Sequence, residues 1–320
     1  LYYVPAPGKR SALWRDWLVM ALCRPFFEHV VLHWHAAGMA RWLETAVQSK
    51  TRKSTFQALG RVSLSVVLSQ FGRWDAAKLL PERIAVVGNG IPDPCPAFES
   101  NVLPRRRARV EARRLLMLGE TVPPELMESA GPDANVFKVL FMAHCSREKG
   151  LFEAVQGVIL AHERMRAANS PLLIHLEVAG QFLNREDEME FRRIQESLGG
   201  ALLDRLGFVT GAQKEQLMVE SDLFCFPSHL ESFGLVLADA MAFGMPIITT
   251  RCGALPEVMT EDYPGLVDAQ APEQVADALL KMIERDPFDG LRKRFEENFT
   301  VNQYLQGLSD SLRQLDGNLS

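Results

Sequence analysis

The sequence predicts an α/β protein made of two doubly wound, parallel-sheet domains. Three observations carry that prediction. Short apolar runs alternate with segments of helical period along most of the 320 residues, the pattern of successive βα units. The alternation lapses over residues 92–135, where Pro92, Pro94, Pro96, Pro104, Pro123, Pro124 and Pro132 accumulate. At Ser228–Pro246 a glycine turn joins a strand run to an apolar helical run, a unit that aims backbone N–H groups at an anion.

In chain order, strands are expected at Leu1–Pro5, Val30–His35, Ser63–Ser69 and Ile84–Gly88, with helices at Ala12–Arg24 and Ala37–Ala46. The Asn89-Gly90 turn closes the last of these strands, and residues 1–95 form a first, partial domain. Residues 96–135 are expected to be a linker around one helix, Arg105–Leu118. Its arginine cluster over residues 105–114, which opens Arg105-Arg106-Arg107-Ala108-Arg109, reads as a solvated face, with peripheral contact to an anionic membrane as the alternative. A second domain, 136–289, resumes the alternation with strands at Phe137–Ala143, Ile174–Ala179, Leu206–Val209, Leu223–Pro227, Pro246–Thr250 and Gly265–Val267. Its helices fall at Leu151–Ala168, Glu186–Leu198, Lys214–Glu220, Leu235–Ala242, Leu255–Thr260 and Pro272–Arg285. Residues 290–320 read as terminal helices that pack back on the first domain.

Composition narrows the classes. An apolar fraction of 47% and a charged fraction of 23% are those of a globular protein. The formal net charge of −5 argues against a nucleic-acid partner. The five cysteines are scattered without a Cys-x-x-Cys pair, which fits a reducing, cytoplasmic compartment better than a disulfide framework or a zinc site. No apolar run approaches the roughly 18–20 residues needed to cross a bilayer.

Several groups could carry chemistry. Glu231 and Asp239 stand eight positions apart across Gly234; two acids so placed can hold hydroxyls beside a bound anion, or can simply be solvated. Lys149-Gly150 follows the first strand of the second domain, where an ammonium can meet a diphosphate. By itself it also reads as a surface lysine beside a helix start. Ligands of an open parallel sheet lie at the carboxyl ends of its strands, so Lys149 and the Glu231–Asp239 turn should face one crevice. His33 and His35 share a face of their strand by alternation. No third ligand accompanies them, so no metal is assigned. His35 is either packed or part of the site. The absence of Asp-x-Asp removes the usual ligands of a metal-bridged diphosphate.

In order along the chain, the stretches Phe141-Met-Ala-His-Cys-Ser-Arg-Glu-Lys149-Gly150, Glu177-Val-Ala-Gly180, Ser221-Asp222-Leu-Phe-Cys-Phe-Pro227-Ser228, Glu231-Ser-Phe-Gly234-Leu with Asp239-Ala, and Gly253-Ala-Leu-Pro256-Glu257 resemble retaining glycosyltransferases of the two-Rossmann GT-B fold, glycosyltransferase family four in particular. Ala85-Val-Val-Gly-Asn89-Gly90-Ile and Val31-Leu-His-Trp-His35 resemble the end of that family's first domain and the strand bearing its acceptor-side histidine.

The resemblance implies two Rossmann-like domains facing a cleft, the second holding a nucleotide-diphosphate sugar. It also implies a role for each matching residue. Glu231 would sit against the donor sugar and Asp239 would bind ribose hydroxyls. Backbone amides of Phe233, Gly234 and Leu235 would hold sugar and phosphate oxygens. Lys149 would neutralise the leaving diphosphate, with Gly150 and Gly180 in the donor site, and His35 would face the transferred sugar.

Three departures stand out. Asp239 replaces the usual glutamate, His144 replaces an arginine, and the glycine-rich loop of the first domain has no counterpart. With His144 largely neutral near pH 7, Arg147 becomes the second candidate cation. The missing loop implies a first domain truncated at its N-terminus and a chain inactive alone. The expected activity is retaining, metal-independent transfer from a nucleotide sugar, UDP-linked by preference, with no further cofactor. The acceptor would be a glycan, a lipid-linked or a small molecule, in cell-envelope polysaccharide synthesis at the inner face of the membrane. Another GT-B enzyme, such as a phosphorylase or epimerase, and a non-catalytic nucleotide-sugar-binding subunit are the alternatives.

Overall fold

Two parallel sheets organise the chain, which the computed structural model describes over residues 1–6, 8, 10–200, 202–283 and 290–316. The helix end expected at Arg285 and the domain boundary expected at residue 289 lie outside the described residues. The chain divides into two units. The first comprises Leu1–Gly90, the short segment Glu231–Gly234 and the C-terminal stretch from Asn298; the second comprises Ile91–Leu230 and Leu235–Glu297.

In the first unit the order is β1 (Tyr2–Tyr3), α1 (Arg10–Cys23), β2 (Val31–Trp34), α2 (Met39–Thr45), α3 (Ser49–Leu59), β3 (Leu64–Val67), α4 (Gln70–Ala77) and β4 (Arg83–Val86). The four strands lie parallel in the order β1-β2-β3-β4. Strand side chains alternate between two cores, as period-2 geometry requires. Leu32, Trp34 and Val67 join Leu13, Met20 and Leu59 of the helices. Val31, Leu64 and Val66 face Tyr304, Leu308, Leu312 and Leu315 from a C-terminal helix, residues 301–316. That spacing is one face of a helix. Helices α3 and α4 were not expected. Sequence SKTRKSTFQAL buries only Thr55 and Leu59, so its apolar signal is faint. Helix α4 is instead started by Ser69, whose hydroxyl accepts from the Gly72 N–H at 3.4 Å.

The second unit runs α5 (Leu103–Met117), α6 (Pro124–Ala130), β5 (Val136–Met142), α7 (Leu151–Ala167), β6 (Leu173–Ala179), α8 (Arg185–Ser197), β7 (Leu203–Gly207), α9 (Gly211–Glu220), β8 (Leu223–Phe226), α10 (Leu235–Ala242), β9 (Ile247–Thr250), α11 (Leu255–Met259), β10 (Leu266–Val267), α12 (Pro272–Ile283) and the start of α13 (Leu291–Asn298). The helix over Val301–Asp316, α14, is the one already placed on the first unit's sheet. All six strands are parallel in the order β10-β9-β8-β5-β6-β7. The sequence order reverses between β5 and β8, the topological switch point of a Rossmann-type sheet. Strand β7 starts three residues and ends two residues earlier than the apolar run suggested, and Phe208 just beyond its end is exposed.

The stretch read as a linker is folded into the second unit. Its prolines start helices rather than prevent them: Pro104 and Pro124 occupy the first turns of α5 and α6. The reading of the basic cluster as a solvated face is corrected for three of its arginines. Arg106, Arg109 and Arg113 recur on one face of α5 and are only 3%, 2% and 2% exposed. Arg106 donates to the carbonyls of Phe243, Ser221 and Met218, which leave the ends of two helices. Arg109 and Arg113 converge on Asp222 at 3.0 and 2.5 Å. Of the cluster, Arg107 and Arg114 remain exposed, and Arg114 pairs with Glu111.

Candidate active site

Both motifs expected at the second unit's site leave the strands that flank the switch point. Strand β5 leads to a tight turn over Arg147–Lys149 and then to α7. Strand β8, buried throughout, leads through Pro227 and Ser228 toward α10. The two loops are joined to each other. The His229 N–H donates to the Glu148 carbonyl at 2.9 Å, and the Ser228 hydroxyl reaches the same oxygen at 3.3 Å. Gly150 has φ +77 and lies so close to the Pro227 carbonyl that a methyl group there would overlap it. Only glycine lets these loops meet. Lys149 is thereby fixed beside β8, its Nζ 5.8 Å from the centre of the Phe226 ring.

Gly180 has a comparable reason. Its φ is +148, and a side chain would overlap the Ala143 carbonyl, so the end of β6 closes against the loop carrying His144. His144 itself is exposed. Arg147 is turned toward α8, where it pairs with Asp187 at 3.2 Å and with Glu190, while its guanidinium covers the Phe152 ring at 4.5 Å. His229 pairs with Glu153 Oε1 at 3.0 Å, and the other oxygen of that carboxylate is buried without a hydrogen-bond partner.

Helix α10 is apolar except for Asp239, which lies one turn inside Leu235. Asp239 is half-buried and meets Lys214 of α9 at 2.7 Å. Sequence reasoning missed Lys214. Nothing in its own neighbourhood marks it, because the pairing depends on how α9 and α10 lie on the sheet.

In the first unit, Glu231–Gly234 forms a turn held by unit-one partners. The Ala37 N–H donates to the Ser232 hydroxyl at 2.9 Å. Phe233 is buried edge-on to Phe299 at 5.9 Å, and Gly234 has φ +85. His35 follows the end of β2 and is exposed, whereas His33 is fully buried. Their rings lie 4.3 Å apart, as the alternation predicted. Burial, then the neighbouring His35, holds His33 down to about 4; burial also lowers His35. Both are therefore neutral at pH 7. His33 Nδ1 contacts the Tyr2 hydroxyl, and Tyr2 is pushed up to about 12 by burial and by Tyr304. Among the described residues, no group of three or more His, Cys, Asp or Glu is placed to hold a metal ion. Among the same residues, no helix is long and apolar enough to cross a membrane.

Comparisons with known proteins bear on the family and the fold. Residues 124–300 match the family described as glycosyl transferases group 1. The D-inositol 3-phosphate glycosyltransferase of Nocardioides sp. is 27% identical over 209 residues, 56% of this chain and 45% of that protein. The chain thus spans less than half the length of that curated relative. Among solved structures, Anabaena Alr3699/HepE in complex with UDP and glucose superposes with a TM-score of 0.68 at 19% identity, over 98% of this chain and 77% of that one. Sucrose-phosphate synthase from Thermosynechococcus elongatus gives 0.64 at 19% identity, over 96% and 72%. These likenesses carry the fold, two parallel-sheet Rossmann-like domains of the GT-B class. With the family match covering more than half of its length, the chain belongs to the glycosyl transferases group 1 family.

Proposed function

We propose that the chain is the catalytic body of a retaining glycosyltransferase that takes its sugar from a UDP-sugar. The observation that carries this reading is the pair of joined loops at the switch point, Glu148 to His229 at 2.9 Å. It sets a lysine and the approach to a helix N-terminus at the carboxyl ends of adjacent strands, where open α/β sheets take their ligands. Lys149 and the backbone amides around Gly234 and Leu235 bind the diphosphate and stabilise the charge that develops on it as it leaves. Asp239 takes the ribose. Glu231 holds the donor sugar, and His35, neutral at pH 7, accepts or donates a hydrogen bond to the transferred sugar. No protein nucleophile is assigned; the departing phosphate receives the acceptor hydroxyl's proton on the same face of the sugar. The acceptor is a hydroxyl of a glycan, a lipid-linked or a small molecule.

UDP is favoured over other nucleotides because a solved relative in fold is described with UDP and glucose. Calorimetric titration with UDP, GDP and ADP tests the choice: UDP should bind most tightly. Transfer and hydrolysis assays over a panel of UDP-, GDP- and ADP-sugars test the activity. Neither transfer nor hydrolysis by a protein that binds UDP would favour a non-catalytic binding subunit. We further propose that no divalent metal is needed, since Lys149 and a helix N-terminus supply the countercharge. Transfer abolished by chelator and restored by magnesium or manganese would overturn this.

A further inference from the structure

We infer that Lys214 is a positioning residue for nucleotide recognition: it holds one oxygen of Asp239 and leaves the other to take a single ribose hydroxyl. This role presupposes the donor site proposed above. Lys214 Nζ lies 2.7 Å from Asp239 Oδ2, and the two side chains are 31% and 17% exposed. They therefore remain open to a ligand, unlike the sealed carboxylate of Asp222. Both stand in helices that follow strands of the same parallel sheet, near the carboxyl ends where ligands are bound.

Two features argue that the pair is more than a link between helices. Lys214 sits in the first turn of α9, where the helix dipole disfavours a cation. A lysine tolerated there has a compensating anion, and Asp239 is that anion. Asp239, in turn, is the only polar side chain of α10. An unpaired carboxylate beside a ribose would also repel the neighbouring diphosphate; the Lys214 ammonium cancels that charge.

The consequence is geometric. A glutamate with both oxygens available can accept from both hydroxyls of a vicinal diol. Asp239 has a shorter stem, and Oδ2 is already engaged by the Lys214 ammonium at 2.7 Å. Oδ1 is left for one hydroxyl. Removing that hydroxyl from the nucleotide should weaken binding strongly, and removing the other should weaken it little.

The test is calorimetric titration of the whole chain with UDP, 2′-deoxy-UDP and 3′-deoxy-UDP. The parent should lose about tenfold or more in affinity with one deoxynucleotide and less than about threefold with the other. In Lys214→Met the freed carboxylate reaches both hydroxyls, and the two losses should agree within about twofold. Lys214→Arg keeps a cation on Asp239 and should retain the asymmetry. A purely structural ion pair between α9 and α10 would lower the melting temperature of Lys214→Met and leave the deoxynucleotide pattern unmoved. Equal losses in the parent overturn the inference, as does an asymmetry that persists in Lys214→Met or vanishes in Lys214→Arg. A different result marks failure of the donor site itself: no UDP binding by the parent, or UDP bound as tightly by Asp239→Ala as by the parent.

Discussion

The two ends of the second unit's sheet use the same chemical groups in opposite ways. At the amino end, Asp222 is 7% exposed and is reached by Arg109, Arg113 and the Lys138 N–H, the last at 2.9 Å. Burial pushes the Asp222 carboxyl up, but the Arg113 and Arg109 guanidiniums outweigh it and bring it down to about 2. Arg106 beside them is lowered to about 10 by burial, with Asp222 opposing, and stays charged. At the carboxyl end, Lys149, Lys214 and Asp239 are half-buried and reach solvent. The difference is completeness. A charge whose donors and acceptors are all satisfied inside the protein has nothing left for a ligand, and removing one partner strands the other. The Lys214–Asp239 pair, which reaches solvent, keeps capacity for a ligand.

The largest effect expected from breaking this contrast is at the amino end. Asp222→Asn leaves two buried guanidiniums without their carboxylate and should cost about 3–5 kcal/mol in stability, read by denaturant unfolding. The same carboxylate sets an acid limit. Its folded-state pKa, about 2, is below the unfolded value near 3.9. Its contribution is fully present above the unfolded value and is lost as pH falls through the folded one. Unfolding free energy of the parent should therefore drop from about pH 4 toward pH 2 more steeply than that of Asp222→Asn. A parallel decline would show that Asp222 is not the anchor of α5.

The next effect belongs to the carboxyl end and should appear in function rather than stability. Lys149→Ala should lower turnover about a hundredfold or more, on the order of 3 kcal/mol in the transition state. Its unfolding free energy should stay within about 1 kcal/mol of the parent. Turnover equal to the parent would remove Lys149 from the chemistry.

Smaller again is the split between the two acids. Asp239→Ala should weaken UDP binding about tenfold, measured by calorimetry, while Asp239→Glu binds within a few-fold of the parent. Glu231→Gln should lower turnover with little change in UDP affinity. If Glu231→Gln lost UDP binding and Asp239→Ala did not, the two roles would have to be exchanged. The smallest effect is Arg107→Ala on the exposed face of α5, expected within about 0.5 kcal/mol by thermal or chemical unfolding. A loss comparable to that of Asp222→Asn would erase the distinction between the buried and exposed sides of that helix.

How far the sequence reveals these two ends also differs. The strand–turn–helix around Gly234 is legible because apolar runs, glycine and proline act locally; α10 spans Leu235–Ala242 as the periodicity predicts. The loop with Lys149 is legible for the same reason, and Gly150 meets the Pro227 carbonyl as a glycine at a close approach must. The amino end is opaque. Arg106, Arg109 and Arg113 look like a solvated stripe because their partners, Asp222, Asp133 and helix-end carbonyls, come from distant positions. Lys214 is hidden for the same reason. Charge says that a residue needs a partner, and only the packed sheet says whether that partner is water, protein or ligand.

The most direct measurement of the claim that the carboxyl end takes a nucleotide diphosphate is a paired calorimetric titration of the parent and Lys149→Ala with UDP and with uridine. Lys149→Ala should bind UDP about tenfold more weakly than the parent and uridine almost equally well. Equal UDP affinity in the two proteins, or the same loss for uridine as for UDP, would contradict it.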